Sequence, residues 1–175
     1  MRNLVDVPTV KGGVCIFIQK HFSYSVINVE KFCKDKELEA CALKLDFLSI
    51  KVCIITVYRS PNGIFQYFRK GSDNIIKKNY KPDVQLIIWG DININYLIES
   101  TEKQELNIIL NSYNFVSVIN FPTRVKNNWR SAIDDIFLDT TQFGRYTTCS
   151  MVNGLSDHDA QMLESCVANL NSFFF

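Results

Sequence analysis

The 175 residues predict an α+β fold, with two sheets packed face to face and helices outside. Short apolar runs rich in β-branched residues recur along the chain and outnumber the helical stretches. Only two segments show helical spacing, and they are inserted between strands rather than alternating regularly with them. No repeat, low-complexity tract or linker breaks the chain, so residues 1–170 are expected to form one domain, followed by a short tail, 171–175.

Gly12-Gly13 opens the first predicted strand, 14–19. Residues 34–39 read as a loop leading into a strand over 39–47. A further strand, 49–59, is apolar on both faces from Val52 onward, which predicts a central position. Ser60-Pro61-Asn62-Gly63 is a turn. Phe65, Phe68, Ile75 and Ile76 predict a helix over 64–80, interrupted at Gly71. The run 84–89, bounded by Pro82 and Gly90, reads as a buried strand. Leu106, Ile109, Leu110 and Tyr113 predict a helix over 102–113, with Thr101 as its cap and Glu102 and Glu105 in its first turn. Strands are predicted over 115–120, 132–139 and 149–152, and a strand or short helix over 159–170.

An apolar fraction of 47% and a charged fraction of 21% fit a globular protein. No apolar run approaches the roughly 20 residues that span a bilayer, and the first eight residues lack the apolar core of a signal peptide. The chain is therefore expected to be intracellular, neither secreted nor in a membrane. The six cysteines, at 15, 33, 41, 53, 149 and 166, include no CxxC pair. Reduced cysteines are expected, with Cys15 and Cys53 in the core. Residues 1–90 hold 14 Lys and Arg against 8 Asp and Glu, and residues 91–175 hold 5 against 10. That asymmetry suits a polyanion track beside an acidic, metal-binding pocket, and equally a solvated surface.

Three polar clusters end apolar runs. Asp91 and Asn93 follow the 84–89 strand, and strand alternation would place them on one face; Gly, Asp and Asn also form turns. Asp134 and Asp135 lie inside a strand, where an unpaired carboxylate is costly; Arg130 or Lys126 could pair with them. Ser156-Asp157-His158-Asp159 contains one of only two histidines, flanked by acids, as an acid/base group or a metal neighbour would be.

The order Tyr58-Arg59-Ser60-Pro61-Asn62, Trp89-Gly90-Asp91-Ile92-Asn93, Pro122-Thr123-Arg124, Ser131-Ala132-Ile133-Asp134-Asp135 and Ser156-Asp157-His158-Asp159 resembles the endonuclease/exonuclease/phosphatase superfamily. It is most similar to the apurinic-type endonuclease domain of non-LTR, LINE-type, Jockey-like retrotransposons. The resemblance implies a DNase I-like four-layer α/β/β/α sandwich. It also implies phosphodiester hydrolysis dependent on Mg²⁺ or Mn²⁺, with DNA nicked at a target site, in the nucleus, by a domain fused in its parent element to a reverse transcriptase. By position, Asp91 would orient or deprotonate the attacking water and Asn93 would hold that water or the phosphate. His158 would contact the scissile phosphate, Asp134 would pair with His158, and Asp157 would ligate the metal. Tyr58 and Asn62 would border the phosphate pocket, and Thr123 and Arg124 would form the DNA-facing rim.

The match covers roughly the last three-quarters of such a domain. The family's first strand and helix, and the strand that ends in a metal-binding Glu, find no counterpart before Gly12. Glu39 stands where the family often has a solvent-side acid. An N-terminally truncated domain is therefore expected. The alternatives are an inactive fragment or binding module of the same fold, or a superfamily hydrolase acting on RNA, nucleotides or phosphoinositides.

Overall fold

Apolar alternation and turn chemistry generate twelve strands and two α-helices in the computed structural model, which describes residues 2–6, 13–46, 50–152 and 154–165. The chain divides into two units, Met1–Ile92 and Asn93–Phe175.

In the first unit β1 (Arg2–Asp6) pairs antiparallel with β2 (Cys15–Gln19). Four further strands follow: β3 (Tyr24–Ile27), β4 (Glu39–Asp46), β5 (Lys51–Tyr58) and β6 (Val84–Asp91). They lie side by side in that order, antiparallel except for the parallel β5–β6 pair. A parallel pair needs a crossover, and α1 (Phe65–Asn79) supplies it. The central position predicted for the 49–59 strand is found: β5 lies between β4 and β6, with Val52 to Ile55 buried. β1, β3 and a 3₁₀ turn at Glu30–Phe32 were not anticipated.

The predicted interruption of the first helix does not occur. α1 runs through Gly71, which is buried, and a Cβ there would stand 2.4 Å from Leu38 Cδ2 and 3.0 Å from the Phe32 carbonyl. The glycine serves close packing, not helix breaking. Gly90 plays the same part in β6, because a Cβ would lie 1.8 Å from the Val57 carbonyl oxygen. Of the cysteines expected in the core, Cys53 is buried but Cys15 is exposed, because alternation along β2 turns Ile16 and Ile18 inward instead. The five cysteines at described positions keep reduced thiols outside any disulfide, and burial pushes the Cys53 thiol up to about 12.

The second unit contains α2 (Thr101–Ser112), β7 (Phe115–Ser117), β8 (Arg124–Lys126), β9 (Trp129–Ser131), β10 (Asp134–Asp139), β11 (Tyr146–Met151) and β12 (Ala160–Ser165). β10 pairs with β7, β8 with β9, and β11 with β12, all antiparallel. The stretch expected to be strand or helix is strand as far as Ser165. Residues 47–49, Cys166 and the predicted tail 171–175 lie outside the described residues. No helix is long and apolar enough to cross a membrane among the described residues.

The cap of α2 is Ser100, not Thr101: its hydroxyl accepts from the Lys103 N–H at 3.2 Å, while Thr101 is the first helical residue. Ser100→Ala should therefore cost about 1 kcal/mol, while Thr101→Ala, at a helical position where Ala has the higher propensity, should not destabilise. Urea denaturation of the two variants checks this, and the reverse order would restore Thr101 as the cap.

Candidate active site

The chemistry in the second unit is organised by Thr123, whose side chain is completely buried. Its backbone N–H donates to the Ser131 carbonyl (2.9 Å) and its carbonyl accepts from Asp159 N–H (2.8 Å). The Thr123 hydroxyl accepts from the N–H groups of Ile133 and Asp134, each at 3.1 Å, and donates to Asp134 Oδ2 at 2.9 Å. That uses its one donor and both lone pairs.

Asp134 begins β10 and is bonded to His158, whose Nδ1 lies 3.0 Å from Oδ2 and 3.3 Å from Oδ1. An ionised carboxylate only accepts, so Nδ1 carries the proton and Nε2 is the nitrogen turned to chemistry. The His158 N–H donates to Ser156 Oγ at 3.0 Å, and Ser156 Oγ donates back to the His158 carbonyl at 3.1 Å. Arg124 and His158 form an isolated antiparallel bridge, and Val125 N–H donates to the Asp157 carbonyl at 2.8 Å. The Ser-Asp-His-Asp segment thus lies along β8.

Asp157 accepts from Arg124 Nε at 2.8 Å, and this bond holds its carboxyl below the usual carboxylate range. Arg124, expected on a rim, and Asp157, expected on a metal, are therefore partners. An ionised carboxylate is the hard oxygen donor that Mg²⁺ or Mn²⁺ selects, so the donor chemistry fits a divalent cation at Asp157.

Asp135 points the other way, as alternation requires. It is fully buried and accepts from Ser117 Oγ (2.9 Å to each oxygen) and from Ile136 N–H (2.7 Å). Burial pushes its carboxyl up to about 8, against the pull of these bonds. Among the described residues neither Asp134 nor Asp135 pairs with Arg130 or Lys126; those two cations stay exposed.

In the first unit, Asp91 ends β6 and stands opposite Tyr58 of β5, which stands opposite Glu39 of β4. Arg59 N–H donates to the Asp91 carbonyl (2.9 Å), and its guanidinium reaches the Ile92 and Gly63 carbonyls at 3.5 and 3.4 Å. Burial, then the Asp91 and Glu39 carboxylates, push the Tyr58 phenol up, so it stays a protonated donor. Asn62 is exposed in the turn after β5.

The alternation proposed for Asp91 and Asn93 fails. β6 stops at Asp91, and Asn93 takes a left-handed conformation (φ 49°), so the pleat does not carry one face from one residue to the other. Glu39, read as a solvent-side acid, is only 5% exposed. Asn95 went unnoticed: its Oδ1 accepts from Ala132 and Leu97 N–H at 3.0 and 3.1 Å and ties its loop to the start of β10. The Asn-rich run Asn93-Ile94-Asn95 was its only signal.

The fold carrying these groups is that of endonuclease/exonuclease/phosphatase proteins, as the motif order implied. No family model and no curated protein matches the sequence. Among solved structures, the endonuclease domain of TRAS1, a telomere-specific non-LTR retrotransposon, superposes with a TM-score of 0.75 at 14% identity, covering 93% of this chain and 76% of that one. An endonuclease/exonuclease/phosphatase family protein from Leptotrichia buccalis gives 0.67 at 13% identity over 94% and 72%. D. rerio TDP2 complexed with a single-strand DNA product gives 0.63 at 13% identity over 91% and 75%.

Thr123→Val removes the hydroxyl and leaves the Ile133 and Asp134 N–H groups without their acceptor, a cost of about 1–3 kcal/mol at each position left unsatisfied. Thr123→Ser should restore most of the loss in a urea titration. Asp135 keeps its proton in the folded state up to about pH 8 but loses it near pH 4 when unfolded. The folded state then binds more protons, and stability falls as pH rises through that window. Asp135→Asn, which keeps an oxygen for Ser117 and Ile136, should flatten the decline between pH 4 and 8; an unchanged slope would show that Asp135 does not cause it.

Proposed function

We propose that this chain is a divalent-metal-dependent phosphodiesterase that acts on DNA as an endonuclease. The observation that carries the reading is the hydrogen-bonded Asp134–His158 pair, locked by Thr123 and lying on the motif Ser156-Asp157-His158-Asp159. A histidine anchored at Nδ1 presents Nε2 in fixed geometry, which suits stabilising charge that grows on a phosphoryl oxygen. Asp157 is the carboxylate that would hold Mg²⁺ or Mn²⁺, which when bound polarises the phosphoryl group and eases departure of the leaving oxygen. The Tyr58 phenol, kept protonated, supplies a hydrogen bond to a phosphate oxygen. Motif order assigns Asp91 to the attacking water and Asn93 to its hydrogen bonding. DNA is favoured as substrate by the likeness to the TRAS1 endonuclease domain and to TDP2 with its DNA product. A chromosomal substrate implies action in the nucleus, and the retrotransposon likeness implies a reverse transcriptase in the parent element.

A second reading, a non-catalytic binding module of the same fold, is favoured by one observation. The Arg124 guanidinium already neutralises Asp157, the carboxylate that the metal would use.

Nicking of supercoiled plasmid separates the two. The wild-type chain should nick it in Mg²⁺ or Mn²⁺ and not in EDTA. His158→Ala and Asp91→Ala should each lose at least about 10²-fold in rate, the usual loss for a general acid–base group or a charge-stabilising donor. A wild-type chain that cuts plasmid, single-stranded DNA and RNA in neither metal would leave the binding module standing.

A further inference from the structure

The hairpin β8–β9 carries groups that neither the fold nor the Asp134–His158 pair requires. Its two-residue loop, Asn127-Asn128, turns with Asn127 left-handed (φ 54°), and Lys126 stands directly opposite Trp129. Register puts Arg124, Lys126, Trp129 and Ser131 on one face, and they line an open depression of about 340 Å³ together with Asn127. Trp129 is 83% exposed. The indole is presented to solvent with the Lys126 cation directly opposite it across the hairpin.

We propose that this face is a stacking platform for an unpaired nucleobase: the Trp129 ring meets the base and Lys126 the adjoining phosphate. Every base has a π face, and aromatic rings set among cations are how proteins hold single-stranded nucleic acid. A polyanion is the complementary occupant, because Lys126, on this face, makes no ion pair among the described residues. The site also has a fixed place relative to the chemistry. Arg124 is bridged to His158, and Lys126 lies two residues farther along β8, about 7 Å away. The stacked base therefore belongs to a nucleotide one or two positions from the phosphate at His158. This assignment rests on the nucleic-acid reading above and makes it specific: the preferred substrate has a melted or unpaired base beside the cut.

Binding tests it without catalysis. In EDTA, fluorescence anisotropy would follow a labelled oligothymidine, the same backbone built of abasic spacers, and the matching duplex. Trp129→Ala should weaken oligothymidine binding roughly 5- to 150-fold, the range for one stacked base, and leave abasic binding within about twofold on the same scale. Trp129→Phe should recover most of the loss. Lys126→Ala should weaken both single strands alike and lower the salt slope by about one. Because Trp129 is exposed, the variant's thermal melt should match wild type. Equal loss on the thymidine and abasic strands, no loss, or a loss as large on the duplex overturns the unpaired-base platform. A separate assay with bis-p-nitrophenyl phosphate in Mn²⁺ reports hydrolysis alone. Hydrolysis without a base effect would sink the platform and spare the phosphodiesterase. A base effect without hydrolysis would do the opposite.

Discussion

One hydroxyl, that of Thr123, sets the geometry on which the second unit's chemistry depends. It accepts two backbone N–H groups at the start of β10 and donates to the carboxylate that holds His158. A single rigid node therefore fixes a strand's entry, an acid's rotamer and, through that acid, an imidazole. Hydroxyl bonds of this kind are worth only about 1 kcal/mol each. Their value lies in arrangement, since a half-exposed imidazole has many alternative orientations and the node leaves it few. The backbone bonds of Thr123 to Ser131 and Asp159 complete the frame, so β8, the start of β10 and the His158 segment cannot shift independently.

The same economy explains the adjacent acids of β10. Alternation sends Asp134 toward His158 and Asp135 into the interior, where Ser117 and a backbone N–H receive it. Sequence alternation sends the two to opposite faces without saying which one meets the histidine. The two environments separate them: one carboxyl is bonded to a half-exposed histidine, and the other is driven toward its neutral form by burial.

Much of this was legible in the residues. Apolar runs located β4, β5 and β6, and helical spacing located α1 and α2, because burial of one face leaves a period in the sequence. Motif order pointed to the fold. What escaped was decided by long-range contact or by single backbone angles. Gly71 looks like a helix breaker until Leu38 is seen to pack against it. Asn93 looks like a strand residue until its φ turns positive. Glu39 looks solvent-facing because nothing local shows that Tyr58 and Asp91 stand in register beside it. The β8–β9 hairpin was missed because three-residue strands carry too little periodicity to register, and Asn127-Asn128 was its only signal.

The ion pair of Arg124 and Asp157 decides how far the site's charge is already committed. Both side chains are about one-third exposed, and a pair so placed is screened by water and contributes little. The bond holds the Asp157 carboxyl below the usual carboxylate range, but so exposed a pair exchanges readily with other partners. A cation arriving at Asp157 and a phosphate arriving at Arg124 would satisfy both charges at once, and each arrival would remove the reason for the pair to persist. The contact that favours a mere binding module is thus too weak and too exposed to stand in the way of the proposed activity.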